Sequence, residues 1–421
     1  MTGRPLTAAD LEAFAAFGVA PKILADAGFF RVTDAEARSI FGFNGTGDNA
    51  GIIIPNLSPL NGQPRTYVLR RDHPPVVDGK LNGKYLHSHH DPSYFYFPPG
   101  CGELLPDVTV PVIVVEAEKS AIALWAWAWR VHRPILPIGT NGCWGWRGKI
   151  GKAETPDGKG TDERGPVADF GLVTWTDREV IILFDSNVDA NPQVRAGRRA
   201  LTELLTALGA KVKWASIPAT VNANGPDDLL RECNDQILAE IIDNAVPSPD
   251  AAHAEAVAAV AAIEEKITPV ESLDLAELKK ALAVVEDKEE RSLLIARAAS
   301  ALRGTLAKSD LQRQVDARRA FLLAERKRIA EDARVAALKK IEVNPAKLAR
   351  ALESFFAERA YLPQGAALVL AFFVMNTWVF ELFDAVPYMC VESPTPECGK
   401  TTLLRLIEAV CCVGRRASSL T

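Results

Sequence analysis

The chain has 421 residues, room for two or three domains at about 150 residues each. Hydrophobic residues make up 48% and charged residues 24%, which excludes a fibrous or wholly disordered chain. With 48 basic against 53 acidic residues the net charge is −5, so any nucleic-acid site has to be a local basic patch.

Residues 1–45 read as short helices, the first capped by Thr7 ahead of Ala8-Ala9-Asp10-Leu11-Glu12. Residues 50–100 turn β-rich: Ile52-Ile53-Ile54 and Thr66-Tyr67-Val68-Leu69 are strand candidates separated by Pro, Gly and Asn. From 111 to 243 apolar strands alternate with helices. Val112–Val115, Ile135–Ile138, Val180–Phe184 and Lys211–Ile217 are the strands. Helices are expected near 119–131, 193–208 and 227–244. That alternation predicts a mainly parallel sheet covered on both faces. The stretch 141–178, rich in Gly, Trp and charge, reads as an insertion.

Residues 251–345 hold one aromatic, Phe321, and one glycine, Gly304. Ala, Glu, Lys and Arg dominate, predicting long helices that act as a spacer or coiled coil, with Val315, Leu322, Ile329 and Ala336 recurring every seven residues. The apolar run Ala366–Phe380 is shorter than the about 20 residues that span a bilayer and contains Asn376, so a buried helix is expected and no membrane partner. Seven cysteines, an odd number with no Cys-x-x-Cys pair, argue against a disulfide framework or zinc ribbon and for a reducing cytoplasm. No apolar signal core occupies Met1–Pro5.

Three acidic clusters fall at strand ends: Glu116-Ala117-Glu118, Asp185-Ser186-Asn187-Val188-Asp189 and Asp227-Asp228. In open α/β sheets ligands bind outside the carboxyl ends of strands. Clusters at three such ends can converge in space, and two or three carboxylates suffice for Mg²⁺, which keeps several waters. For any single acid, helix capping or loop solvation is an equally ordinary role. Arg65, Arg70, Arg71, Lys80 and Lys84 lie close in sequence and suit either phosphate binding or a solvated strand face. His87, His89 and His90 lack partners at metal-ligand spacing. Trp125, Trp127 and Trp129 cannot share one helix face, so at least one must leave the core. Trp144 and Trp146, interleaved with Arg147, Lys149 and Lys152, suit base stacking or a structural plug equally.

The order Val115-Glu116, Ile138-Gly139-Thr140, Phe184-Asp185-Ser186-Asn187 and Pro226-Asp227-Asp228 resembles the Toprim domain of bacterial-type DNA primases. Lys84-Tyr85-Leu86-His87-Ser88 resembles the basic segment just before it. Residues 1–245 are also similar to a Toprim-like family of unknown function found in large proteins of phages, plasmids and integrating elements, which often join it to a helicase-like ATPase. The resemblance implies that Glu116 is a metal ligand or acid–base group, that Asp185 opens an Asp-x-Asp pair, and that Lys84 holds template or nucleotide phosphates. The chain departs from the family at Asn187, where the second aspartate of the pair is expected, and at Ser120, four residues after the glutamate. Asp189, Glu118 or Asp227 then supplies the missing charge, or the domain binds without catalysing. The zinc module that usually precedes primase cores has no counterpart in this sequence.

Ser393-Pro394-Thr395-Pro396-Glu397-Cys398-Gly399-Lys400-Thr401-Thr402 follows a strand candidate, Tyr388–Val391, and precedes an apolar helix from Leu403. Strand, loop with Gly-Lys-Thr and helix are the context of a phosphate-binding loop. Gly399, Lys400, Thr401 and Thr402 are the expected nucleotide contacts, Lys400 on the β/γ-phosphates and Thr401 on Mg²⁺. Pro394 stands where the first glycine is usual, as in the serine-proline loops of mobile-element helicases that these residues resemble. Only 20 residues follow Thr401, so a truncated motor is expected, one that binds nucleotide without efficient hydrolysis.

The expected fold class is therefore α/β: a small α+β subdomain (1–105), a Toprim-like Rossmannoid parallel sheet (106–246), a charged helical spacer (247–345) and the beginning of a P-loop ATPase domain (346–421). The expected function is that of a primase-like, primase-helicase-type enzyme acting on nucleic acid. Its catalytic residues would be Glu116, Asp185 and Lys84, and its metal ligands Glu116, Asp185, Asn187, Asp189 and Asp227. The cofactors would be Mg²⁺ or Mn²⁺ and ATP, and the partners DNA, single-stranded by preference, and nucleotides. A homo-oligomer through the ATPase domain is expected if that domain is complete. A degenerate module that recruits DNA to the motor and a Toprim nuclease are the alternatives.

Overall fold

The structure, a computed structural model, describes residues 3–43, 47–77, 80–87, 92–153, 161–265, 272–302, 306–340, 343–379, 389–392 and 399–412. The chain divides into two compact units, Met1–Lys340 and Ile341–Thr421.

The first unit opens with helices α1 (Ala8–Ala15) and α2 (Pro21–Asp26), strand β1 (Phe30–Val32) and helix α3 (Asp34–Phe41). Thr7 caps α1: its Oγ accepts the Asp10 N–H at 3.2 Å, and the Asp10 carboxylate accepts the Thr7 N–H at 2.8 Å. Strands β2 (Gly51–Leu57) and β3 (Pro64–Arg71) follow. A short ribbon, β4 (Val76–Val77) and β5 (Lys80–Leu81), leads to β6 (Tyr85–His87). The order β1-β2-β3-β6 is wholly antiparallel. Side chains alternate across its faces: Ile53 and Leu69 pack on Ala37 and Phe41 of α3, while Ile52, Ile54 and Val68 join the main core.

The main sheet begins at β7 (Val112–Val115), crosses over through α4 (Glu118–Arg130), and returns at β8 (Leu136–Gly139). The expected insertion is a hairpin, β9 (Arg147–Ala153) and β10 (Thr161–Pro166), that precedes β11 (Glu179–Ile182). Helix α5 (Pro192–Ala207), β12 (Lys211–Trp214), α6 (Pro226–Glu232), α7 (Asp235–Asp243) and β13 (Val246–Pro247) complete the layer. The sheet order is β13-β12-β11-β7-β8, with four parallel strands and β13 antiparallel at one edge. Val112–Val115 and Leu136–Gly139 are buried throughout, as strands covered on both faces must be. At the β8 edge, Tyr96 exchanges backbone hydrogen bonds with Gly139, 2.8 and 3.0 Å, so the segment leaving the N-terminal sheet is stapled to the parallel one. On α4, Trp125 and Trp127 are buried and Trp129 is 66% exposed, as the alternation requires.

Three expectations need correction. The helix expected over 227–244 is two, α6 and α7. Asn234 interrupts it because its side chain accepts the Ile237 N–H at 3.0 Å and so starts a new helix. The 247–345 segment is helical but is no extended spacer. Helices α8 (Pro249–Glu264), α9 (Ser272–Val284), α10 (Lys288–Ala301) and α11 (Lys308–Lys339) enclose a core of their own, with Val260, Leu282, Ile295, Leu311 and Val315. The seven-residue stripe on α11 is no coiled-coil seam either. Val315 and Leu322 face the helical core, whereas Ile329 and Ala336 face the core of the parallel sheet. Cys233 Sγ donates to Ala333 O at 3.2 Å and Thr220 Oγ to Ala330 O at 2.8 Å, fixing that second half of α11.

The second unit contains α12 (Pro345–Arg359), α13 (Ala366–Val379) and α14 (Lys400–Val410), packed around Phe356, Leu370, Val374 and Leu403. Helix α13 was expected to be buried. It buries one face only, leaving Val369, Phe372 and Trp378 each more than half exposed, because α12 and α14 cover a single side. Among the described residues no helix is long and apolar enough to cross a membrane.

Candidate active site

In chain order the parallel strands lie second, first, third, fourth, so the direction of winding reverses between β7 and β11. At such a reversal the loops leaving two neighbouring strands part, opening a crevice at their carboxyl ends. Glu116 follows β7 and Asp185 follows β11. Each strand is anchored by its neighbours: Leu183 N–H donates to Val114 O at 2.9 Å and Thr140 N–H to Val115 O at 2.9 Å.

The Glu116 carboxylate accepts the backbone N–H of Asp185 at 3.1 Å, and the Cys143 N–H also donates to it. Burial nonetheless raises its pKa. Asp185 is pushed up to about 7, first by burial and then by the charges of Glu116, Asp227 and Asp228. Among the described residues its one side-chain donor is Asn224 Nδ2, 2.6 Å from Oδ2. The loop between β12 and α6 brings the third cluster in. Ser186 N–H donates to Asn224 O at 2.8 Å, and Gly225 follows. A Cβ at Gly225 would lie 2.8 Å from Asp227 Oδ1, 3.0 Å from Ser120 Oγ and 3.2 Å from Asp185 Oδ1, so any side chain there would press on all three oxygens. The acids of all three strand ends thus meet at one rim.

They are not equivalent. Asp227 is buried, with Oδ1 accepting from Ser120 Oγ at 2.5 Å and Oδ2 paired with the Lys119 ammonium. Lys119 also reaches Asp228 at 3.7 Å, and its ammonium sits 4.8 Å from the centre of the Phe17 ring. Glu118 is buried at the start of α4, where desolvation raises its pKa to about 7. Asn187 is exposed on a short turn, and the side chain of Asp189 lies outside the described residues.

Of the basic residues, Arg65 and Arg71 are structural, so neither phosphate binding nor a solvated strand face, the two roles left open for the segment, describes them. Arg65 pairs with Asp169 at 2.7 Å, and Arg71 donates to the carbonyls of Gly83 and Asn82 at 2.8 and 2.9 Å. Lys84 remains half-buried near the rim. Its pKa is lowered by burial, then by Arg70 and Lys119, while Asp228 and Asp227 oppose that shift. His87 Nδ1 lies 3.3 Å from Asn141 Nδ2, whereas His89 and His90 are outside the described residues. Trp146 is buried against Phe170 and donates to Cys143 O at 3.1 Å, so it is a plug. Trp144 stacks on it, ring centres 5.9 Å apart, with the Arg147 guanidinium 5.6 Å from the Trp144 ring.

A hard divalent cation suits the donor set at Glu116 and Asp185: two carboxylates in a desolvated crevice, with no Lys or Arg paired to either among the described residues. Among the described residues no three His, Cys, Asp or Glu side chains are grouped to hold a metal ion, so the candidate rests on these two acids.

In the second unit Gly399 adopts φ +86° and ends the loop at the first turn of α14, where Lys400, Thr401 and Thr402 are exposed. A cavity of about 570 Å³ opens beside Gly399, Lys400 and Thr402, walled by Leu362, Val369, Leu370, Met389, Val391 and Leu403. The strand expected at Tyr388–Val391 is not formed at Met389–Val391. Tyr388 and Ser393–Cys398 lie outside the described residues.

Sequence reasoning passed over Lys119, Asn224 and Gly225. Lys119 stands in the Glu-Ala-Glu-Lys run, and Asn224-Gly225 immediately precedes Pro226-Asp227, so proximity to the acids was the available signal.

Residues 103–236 match a family described as a domain of unknown function, DUF3854. No curated protein matches. Among solved structures, the chain is similar to the Aquifex aeolicus primase, zinc-binding and RNA polymerase domains, at 13% identity and a TM-score of 0.40, over 72% of this chain and 69% of that one. A likeness so distant adds nothing to what the sheet order itself displays.

Proposed function

We propose that this protein is a primase-like enzyme that performs metal-dependent phosphoryl transfer on nucleic acid at the crevice between β7 and β11. The observation that carries this reading is the meeting of Glu116, Asp185 and Asp227 at the carboxyl rim of four parallel strands, at the point where the winding reverses. A divalent ion held by Glu116 and Asp185 would neutralise charge on a phosphoryl group. The backbone donors from Asp185 and Cys143 orient Glu116, and the Asn224 amide orients Asp185. Lys84, on the side of the rim where Lys119 lies, suits a template or nucleotide phosphate. Lys400 and Thr401 suit the phosphates of ATP in the second unit, with the neighbouring cavity open to the rest of the nucleotide. The motif order adds the expectation of a mobile-element replication protein that works on single-stranded DNA.

Template-dependent primer synthesis with ribonucleotides and Mg²⁺ or Mn²⁺ tests the reading. Glu116→Gln is expected to lower product about 10²–10⁴-fold, the usual range for an acid–base group, while leaving DNA binding intact. Equal product from both proteins overturns the catalytic assignment. A second reading, a binding module without chemistry, is favoured by one feature: Ser120 and Lys119 already satisfy Asp227. Strong DNA binding with no product from the unaltered protein would select it, and plasmid nicking without ribonucleotide incorporation would select a nuclease.

A further inference from the structure

Four carboxylates share the rim, and the charges of Glu116, Asp227 and Asp228 all act on Asp185. Close-set acids of this kind repel one another unless a cation lies among them. Here the protein's own cations divide the group unevenly. The half formed by Asp227 and Asp228 is supplied from within: Lys119 pairs with Asp227 and lies 3.7 Å from Asp228, Arg231 lies 3.4 Å from Asp228, and Ser120 donates to Asp227 at 2.5 Å. Among the described residues the half formed by Glu116 and Asp185 receives neutral donors, two backbone N–H groups and the Asn224 amide.

Lys119 is held in place. Its ammonium is caged by two carboxylates and the face of Phe17, and the Arg231 guanidinium lies 6.0 Å from the same ring. Its side chain is 21% exposed, so it is not sealed in the core. Among the described residues Asp227 Oδ2, fully buried, has no partner other than this ammonium, and would be left bare without it. Burying an unpaired carboxylate is costly, so the lysine and Asp227 form one unit.

The geometry points to Lys119 as a resident cation that fills the Asp227–Asp228 half of the rim, so that the site takes up one divalent ion, at Glu116 and Asp185, and no second at Asp227 and Asp228. This rests on the metal-dependent reading given above. Lys119 is then a positioning residue and a fixed positive charge beside a substrate phosphate, and it does not dissociate when the ion does.

Mn²⁺ titration of the nucleotide-free full chain, read by loss of the free-ion paramagnetic resonance signal, counts the ions. The unaltered protein is expected to bind one, Glu116→Gln none, and Lys119→Met two, because the uncharged isostere exposes Asp227 and Asp228 to a second ion. Lys119→Arg should stay at one. A count of two in the unaltered protein, or of one in a folded Lys119→Met variant, overturns the resident-cation inference and leaves the metal-dependent reading standing. No bound ion in the unaltered protein overturns both. Should Lys119→Met fail to fold, Lys119→Gln, uncharged but still able to donate to Asp227, is expected to bind two ions, and a count of one in it overturns the inference.

Discussion

Asp185 carries a cost that the fold tolerates for the sake of the site. Its folded pKa is raised, about 7 against an ordinary 3.8, by burial and then by neighbouring acids. Between those values the folded chain holds a proton that the unfolded chain has released, so stability falls as pH rises from about 4 to about 7 and then levels off. Asp185→Asn is expected to remove that slope, making the ion-free protein more stable than the unaltered one at pH 8, by on the order of 4 kcal/mol, with the difference vanishing near pH 4. Urea midpoints of both proteins at the two pH values measure it. Magnesium at pH 8 should raise the midpoint of the unaltered protein and leave Asp185→Asn unmoved. The acids themselves were legible in the sequence because each ends an apolar run. Their inequality was not, since nothing in the order of residues says that Lys119 and Ser120 turn toward Asp227 while Glu116 and Asp185 face each other.

Among the elements, strands of uniform apolar residues could be read directly, because burial on both faces leaves no other composition available to them. The break between α6 and α7 was hidden for the opposite reason. Leu229, Leu230, Ile237 and Leu238 all point inward, so the apolar pattern runs on across a cap that only Asn234 marks. Asn234→Ala should cost about 1 kcal/mol, the usual value for a lost cap, in a chemical denaturation curve. Helix α11 makes a stronger case. Ile329 is 4% exposed against the sheet core, and Phe321, two turns earlier, is 56% exposed. Ile329→Ala is expected to cost about 2–4 kcal/mol, whereas Phe321→Ala should stay within about 0.5 kcal/mol, measured the same way. A periodicity of seven shows that a helix has one working face. It does not show that the face meets different cores along its length.

For the molecule as a whole, the three apolar clusters of the first unit include no residue beyond Ala337, and the cluster of the second unit is separate. Residues 1–340 alone are therefore expected to unfold cooperatively, with the thermal midpoint they show in the full chain. A midpoint lowered by more than a few degrees in calorimetry would contradict that. The composition changes near 105 and 246 do not divide the core, and the packing runs straight across them.

That continuity constrains how the gene can vary. Helix α11 has 32 residues, about 48 Å at 1.5 Å each, without an interior glycine or proline, and it is gripped at one end by Val315 and at the other by Ile329 and Ala333. Losing or gaining one codon between those grips would rotate one end against the other by about 100°, a turn that no side-chain substitution could undo. This stretch can drift by replacement alone, and its length should be the most faithfully inherited dimension of the protein.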